Sequence, residues 1–183
     1  MSYAPFLLEP LEENGDKWGV LGRRAVGDLG FTHFMAQQGT VYSGRFEHTL
    51  DDKNRLTIPS VWRWVHSDTE TFLAMPHPDG YVAVLPPARV EKLLAQVSEM
   101  KLSDRDAQAV KARIFSSALQ FTFDKQGRFG ASADLLTHAG IAKDAVLVGM
   151  GDTFNIMSPS RWDEMQRATA GENFGDMMRR IGL

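Results

Sequence analysis

Residues 50–59 read LDDKNRLTIP, and a variant of this segment, FDKQGRF, returns at residues 123–129. Each copy holds an aspartate followed four positions later by an arginine, and the two D-x-x-x-R units lie 73 residues apart. The aligned positions are Asp51 with Asp124, Asn54 with Gly127, and Arg55 with Arg128. This duplication predicts a chain built from two copies of one structural unit.

Both copies have the residue types of a tight turn. Asn54 and Gly127 occupy the same slot, and asparagine and glycine are the residues that most readily adopt a positive φ. An aspartate that opens such a turn can accept hydrogen bonds from the following amides, and an arginine four residues on can pair with it. The units could therefore be purely structural. Asp51, Asn54, Asp124 and Gly127 are the predicted turn-shaping residues.

Strand alternation suggests a second role for the same turns. After the first turn, Leu56 and Ile58 are expected to face the core, which places Arg55 and Thr57 on the opposite face. Two such turns would present basic side chains on a polar surface, where they could reach DNA phosphates and base edges. The candidate DNA-binding residues are Lys53, Arg55, Lys125 and Arg128.

The periodicity along the chain predicts an α+β fold that is mainly β. Strands are expected at 42–50, 56–58, 72–75, 81–85, 119–123, 145–150 and 153–157. Helices are expected after Pro86-Pro87, with an inward stripe of Val90, Leu93, Leu94 and Val97, after an N-cap at Ser103, and after Ser158-Pro159. The predicted domains are a first unit at 41–100, a linking helix at 101–118, a second unit at 119–170 and a tail at 171–183.

Residues 1–40 show neither helical nor strand periodicity for long and contain several glycines. They are expected to form an extension with little order, or to be a start-site artefact with translation beginning at Met35. A flexible arm that carries Arg23-Arg24 to a partner is the alternative.

The charge balance limits how the chain could bind nucleic acid. It holds 20 basic and 23 acidic residues, and outside residues 1–34 the two kinds nearly cancel. Because affinity for DNA rises with the number of phosphates neutralised, one such subunit should bind weakly. DNA binding is therefore expected from an oligomer that sums many small contacts.

Other function classes find little support. The absence of cysteine excludes disulfides, zinc-thiolate sites and thiol nucleophiles. No apolar run approaches the ~20 residues of a membrane span and no basic leader opens the chain, so a cytoplasmic protein is expected. His66-x-Asp68-x-Glu70 is weak as a metal site, and Arg63 could stack on a base, although Trp62 and Trp64 more simply predict packing. No catalytic residue, metal or cofactor is predicted.

The sequence resembles the MraZ family of bacterial transcriptional regulators, which are double-unit relatives of the AbrB/SpoVT DNA-binding fold. The resemblance covers residues 41 to about 165 and rests on GRFEHTLD at 44–51, DKQGR at 124–128, FSSA at 115–118 and VLVG at 146–149. It implies a pseudo-twofold swapped-hairpin β-barrel with flanking helices. It also implies an octamer-like ring of identical subunits that binds direct repeats in its own promoter and represses the division and cell-wall gene cluster, at the nucleoid.

By position, the resemblance implies DNA contacts from Lys53 and Arg55 in the first unit and from Arg128 and Lys125 in the second. Two departures bear on this. Asn54 stands where the family often has glycine, and Ala131-Ser132 replaces the Ile-Pro pair that follows each turn in the family, so the strand end in the second unit is less certain. A structural ring-forming or protein-binding module without specific DNA recognition is the alternative function.

Overall fold

A computed structural model describes residues 40–182 of the chain, which form eight strands and six helices. The strands are β1 Arg45–Thr49, β2 Arg55–Thr57, β3 Phe72–His77, β4 Tyr81–Leu85, β5 Leu119–Phe121, β6 Arg128–Gly130, β7 Asp144–Gly149 and β8 Phe154–Met157. The helices are α1 Ser60–Arg63, α2 Pro87–Ser98, α3 Arg105–Ser117, α4 Ala133–His138, α5 Pro159–Thr169 and α6 Phe174–Arg180. The expectations for residues 1–39 lie outside the described residues.

The strands form two antiparallel sheets. The larger has six strands in the order β1-β7-β8-β4-β3-β5, and the smaller consists of β2 and β6. This confirms the predicted α+β class with a mainly antiparallel sheet. Because β1 and β5 are the outer strands of the large sheet, the described residues contain no closed barrel.

The two sequence repeats pair with each other in addition to forming hairpins of their own, β3 with β4 and β7 with β8. Strand β1 of the first repeat pairs with β7 of the second, with Phe46 opposite Leu147, and β5 of the second pairs with β3 of the first, with Phe72 opposite Phe121. One hydrophobic core results, with residues from both repeats. Its largest fully buried side chains include Trp62, Tyr42, Phe72, Phe129 and Phe154. Neither repeat could bury these rings alone, so the repeats form a single folding unit.

Each turn is followed by a short helix that the sequence analysis did not predict. Helix α1 begins after Pro59, which offers no side-chain cap, and α4 begins after Ser132, whose hydroxyl accepts a hydrogen bond from the Leu135 amide at 3.3 Å. Ser132 therefore occupies the place of Pro59. The uncertain strand end at Ala131-Ser132 is resolved by this equivalence, because both residues stop a strand and start a helix.

The linking helix starts one residue later than predicted. Asp104, and not Ser103, is its N-cap, and the Asp104 carboxylate accepts hydrogen bonds from the amides of Asp106 at 3.0 Å and Ala107 at 3.1 Å. Both serine and aspartate are good caps, so the sequence alone could not choose between adjacent candidates.

Helices α2 and α5 each turn an apolar side toward the sheet, and neither side is fully buried. In α5, Trp162 and Met165 pack against a small cluster of buried residues on β7 and β8. In α2, Val90, Leu93 and Val97 are partly buried, as the predicted inward stripe requires, whereas Leu94 is half exposed. The main contacts of helix α2 with the sheet are to β3 and β4. Its apolar stripe is therefore wider than the surface that the sheet offers it.

Candidate nucleic-acid interface

The two D-x-x-x-R turns lie side by side because β2 pairs with β6. Leu56 is opposite Phe129 in this pair, and both side chains are buried, as alternation predicts for Leu56. Beyond the pair, the Ile58 amide donates to the Gly127 carbonyl and the Ala131 amide donates to that of Asn54, both at 3.0 Å. Each turn therefore holds the strand that leaves the other. We call residues 51–55 and 124–128 the twin-turn face.

The first turn is held by its own aspartate. The Asp51 Oδ1 atom accepts hydrogen bonds from the amides of Lys53 and Arg55, both at 2.9 Å. Its Oδ2 atom accepts from the Arg55 guanidinium, at 2.8 Å from Nε and 2.7 Å from Nη2. The backbone turns at Asn54, whose φ is 55°. The Arg55 guanidinium thus donates twice to one oxygen of Asp51 across the turn, while the other oxygen accepts the backbone amides, the arrangement of a structural staple.

The second turn repeats this geometry almost atom for atom. Asp124 Oδ1 accepts from the amides of Gln126 and Arg128 at 2.9 Å, and Oδ2 accepts from Arg128 Nε at 2.8 Å and Nη2 at 2.7 Å. Gly127 has a φ of 72°. Arg128 makes two more contacts, to Gln126 Oε1 at 3.0 Å and across the face to Asp51 Oδ2 at 3.5 Å. The Arg128 guanidinium therefore links the two turns.

The carboxylates of both turns are held in the charged form. The hydrogen bond from the Arg55 side chain, together with backbone amides, holds the pKa of Asp51 far below its ordinary value. Arg128 lowers the pKa of Asp124 in the same way. In return, the Asp51 carboxylate raises the pKa of Arg55. Both ion pairs persist at neutral pH, which leaves Arg55 and Arg128 with little uncompensated charge.

These pKa shifts predict acid sensitivity. A carboxylate whose pKa is lower in the folded state stabilises the fold above its unfolded pKa of about 4, and that stabilisation is lost as the pH falls toward the folded value. The double variant Asp51→Asn, Asp124→Asn should therefore be less stable at pH 7 and should lose less stability between about pH 4 and pH 2. Urea unfolding followed by circular dichroism at several pH values measures this.

The control for the acid experiment is Asp68→Asn, which removes an exposed carboxylate outside the turns. Its stability should follow that of the wild type at every pH. A double turn variant with the same pH profile as the wild type would contradict the role of the two aspartates.

The lysines of the twin-turn face differ from the arginines. Lys53 and Lys125 have exposed side chains, and within residues 40–182 neither forms an ion pair with a carboxylate. Exposed lysines beside paired arginines are suited to contact phosphate, whereas Arg55 keeps Nη1 free of its partner Asp51. The structure thus brings all four predicted DNA-binding residues to one face. The two lysines are exposed and unpaired within residues 40–182, whereas the two arginines are held in ion pairs with aspartate.

A fifth basic residue at this face, Arg63 of α1, was considered in the sequence only as a base-stacking group. Arg63 Nε donates to the Ile58 carbonyl at 2.9 Å, and its guanidinium lies against the backbone of Gly127. A Cβ at position 127 would overlap that guanidinium. Glycine leaves room for the guanidinium there, while Asn54 fits the matching position of the first turn. The glycine in the sequence was the only signal of this contact.

The neighbouring tryptophans have opposite environments. Trp62 is buried in the core, as predicted for packing, and its Nε1 donates to the Ser43 carbonyl at 3.0 Å. Trp64 is 77% exposed. Trp62 is therefore inaccessible to a nucleotide, and the two tryptophans cannot both stack on bases beside Arg63.

His66, considered from the sequence only as a weak metal ligand, takes part in a partly buried polar contact. His66 Nε2 lies 2.6 Å from the Tyr42 hydroxyl, and its Nδ1 contacts Glu70. Burial, with the Glu70 charge, raises the pKa of Tyr42. Among residues 40–182, no group of three or more histidines and acidic residues could hold a metal ion.

None of the helices within residues 40–182 has the length and apolar character needed to cross a bilayer.

Known proteins similar to this chain are transcriptional regulators. Residues 114–181 match the family model described as "MraZ protein, putative antitoxin-like". "Transcriptional regulator MraZ" of Leuconostoc citreum is 34% identical over 137 residues, which is 75% of this chain and 94% of that protein. The protein of the same name from Lactiplantibacillus plantarum is 33% identical over 141 residues, covering 77% of this chain and 98% of the relative. That from Leuconostoc mesenteroides is 33% identical over 72% of this chain and 91% of the relative.

Proposed function

The chain belongs to the MraZ family, and on this premise we propose that it is a transcriptional regulator that binds double-stranded DNA through the twin-turn face. The observation that carries the proposal is the pairing of two equivalent turns through β2 and β6, with exposed lysines on both. Backbone held by fixed hydrogen bonds loses little freedom on binding, which favours recognition by these turns.

Within this face we propose different contacts for different residues. Lys53 and Lys125 contact phosphates. Arg55, with one guanidinium nitrogen free of its aspartate, contacts a phosphate or a base edge. Arg128 mainly holds the two turns together and contacts DNA through the edge of its guanidinium. Phosphate contacts place a protein on DNA, and base contacts give it sequence preference.

We further propose the finer functional expectations of the family resemblance. The protein would bind direct repeats in its own promoter as a homo-oligomeric ring, repress the division and cell-wall gene cluster, and lie at the nucleoid. Near-neutral charge supports a requirement for many subunits, and the half-exposed Leu94 and Val110 on α2 and α3 support self-association. Direct repeats suit a ring of head-to-tail subunits, since each subunit then meets DNA in the same orientation.

We propose a swapped-hairpin relation between the units at 41–100 and 119–170. The exchange of strands between repeats, with β1 on β7 and β5 on β3, supports it.

The test is a titration of the full chain with the DNA upstream of its own gene, at 50 and 200 mM salt, against a shuffled fragment of the same length. Specific binding that weakens with salt supports the proposal. Equal affinity for both fragments, or none, would favour the alternative of a ring-forming or protein-binding module. Native mass spectrometry of the same sample gives the number of subunits.

Arg55 can be separated from its structural role by comparing Arg55→Ala with Asp51→Ala. Both variants break the same ion pair, but they change the charge of the face in opposite directions. If Arg55 contacts DNA, Arg55→Ala should weaken binding about ten- to hundredfold for a base contact, or reduce the salt slope by about one for a phosphate contact. Asp51→Ala should bind as well as the wild type or better. Fluorescence anisotropy at several salt concentrations measures both.

Equal weakening in Arg55→Ala and Asp51→Ala would instead mean that the pair only shapes the turn. Arg128→Ala and Asp124→Ala should weaken DNA binding more equally than the first pair of variants, because Arg128 links both turns.

A further inference from the structure

We propose that Arg63 is an additional DNA-binding residue of the twin-turn face, and that it makes the two turns unequal. The proposal rests on the proposed function, because it names a further contact in the same site. Arg63 lies outside both D-x-x-x-R units and follows the strand that leaves the first turn, yet its guanidinium lies over the second turn.

The position of Arg63 is fixed by two contacts. Its Nε atom donates to the Ile58 carbonyl, and its guanidinium packs on the backbone of Gly127, where a Cβ would displace it. Ile58 itself is tied to Gly127 through its amide, at 3.0 Å. The guanidinium is therefore placed at the second turn, where Gln126 and Arg128 flank Gly127. A side chain so positioned loses little further freedom when it binds.

The charge of Arg63 is available, unlike that of the turn arginines. Within the described residues, Arg55 and Arg128 each pair with aspartate, whereas no carboxylate lies within ion-pair distance of Arg63. Its Nη1 and Nη2 atoms make no hydrogen bond to another side chain of residues 40–182. An unpaired guanidinium that is half buried and held at a fixed place is suited to bind a phosphate by two parallel hydrogen bonds.

The first turn has no such arginine. The residue 73 positions after Arg63 is Leu136, which is buried in the core on α4. The first turn also carries an exposed acid, Asp52, where the second carries Lys125. The second turn is thus the more basic half and the stronger phosphate-binding half of a face whose backbone is nearly symmetric. A subunit with unequal halves binds DNA in one orientation.

The test compares Arg63→Gln with the wild type in the salt dependence of binding to the upstream DNA. Glutamine retains a donor for the Ile58 carbonyl but removes the charge. In Arg63→Gln, the slope of log K against log salt should become smaller by about one per bound subunit. Its loss of affinity relative to the wild type should therefore be about tenfold larger at 0.1 M salt than at 1 M salt. Arg63→Lys should restore most of the slope. Arg105→Gln, which removes an exposed arginine from α3, should leave it unchanged.

A double-mutant cycle with Gly127→Asn locates the effect. Asparagine tolerates the positive φ, as it does at position 54, but its side chain would displace the guanidinium. Gly127→Asn should therefore reduce the slope as Arg63→Gln does, and the double variant should show no further reduction.

Three outcomes would overturn the proposal. They are an unchanged slope in Arg63→Gln, a failure of Arg63→Lys to restore it, or full additivity in the cycle. If one of these outcomes is found but Lys53→Gln weakens binding, the proposal for Arg63 fails and the proposed function stands. If the wild type does not bind DNA, both the proposed function and the proposal for Arg63 fail.

Discussion

Trp62→Ala is expected to lower the free energy of unfolding by about 3–5 kcal/mol. Trp62 is fully buried, and its ring lies 5.1 Å from those of Phe46 and Phe154 and 5.8 Å from that of Tyr42, measured between centroids. Its Nε1 also satisfies the Ser43 carbonyl. Alanine would leave a large cavity among rigid rings and an unpaired carbonyl, and both effects destabilise the fold. Equilibrium unfolding in urea measures the difference.

Trp64→Ala is the matched control, because it removes the same kind of side chain from the residue that follows α1. Trp64 is largely exposed, so its loss should change the free energy of unfolding by no more than about 0.5 kcal/mol. Similar destabilisation by both substitutions would mean that Trp64 is also covered, for example by another subunit. A small effect of Trp62→Ala would contradict its place in the core.

The core position of Trp62 also matters for the candidate interface. Helix α1 has only four residues, so its own hydrogen bonds cannot hold it. Burial of Trp62 holds the helix against the sheet and thereby places the adjacent Arg63 over Gly127. Partial loss of DNA binding in Trp62→Ala, even where the protein remains folded, follows from this link.

The features predicted well from sequence were those with a local cause. Alternation placed Leu56 inward, and the repeated aspartate and arginine identified turns that are alike to within 0.1 Å in their principal side-chain hydrogen bonds. The N-cap at Ser158 followed from serine before proline, and its hydroxyl accepts from the Arg161 amide. Each of these depends on residues within a few positions of one another.

The features that could not be predicted depend on distant parts of the chain. The contact of Arg63 with Gly127 joins residues 64 positions apart, and it exists because β2 pairs with β6. The exposure of Leu94 depends on how little of the sheet α2 covers, which its own periodicity does not contain. Periodicity identifies the apolar side of a helix but not the surface that will bury it.

The double charge reversal Lys53→Glu, Lys125→Glu is expected to weaken DNA binding. For each bound subunit, the loss of affinity relative to the wild type should be at least about hundredfold larger at 0.1 M salt than at 1 M salt. Each lost phosphate contact reduces the slope of log K against log salt by about 0.9, which corresponds to about tenfold per contact over that range. Repulsion between the new carboxylates and phosphates adds to this loss at low salt. Both side chains are exposed, so the fold should remain intact.

The reversal Lys92→Glu, Lys101→Glu is the matched control, since it changes the net charge equally at two exposed lysines on and after α2. If the twin-turn face is the contact surface, the control should keep most of its affinity and nearly all of its salt slope, because only long-range repulsion has changed. Fluorescence anisotropy with the upstream DNA compares the two variants. Equal losses would mean that binding depends on overall charge and not on the turns, whereas a loss confined to the first variant assigns DNA contact to the two turns that β2 and β6 hold together.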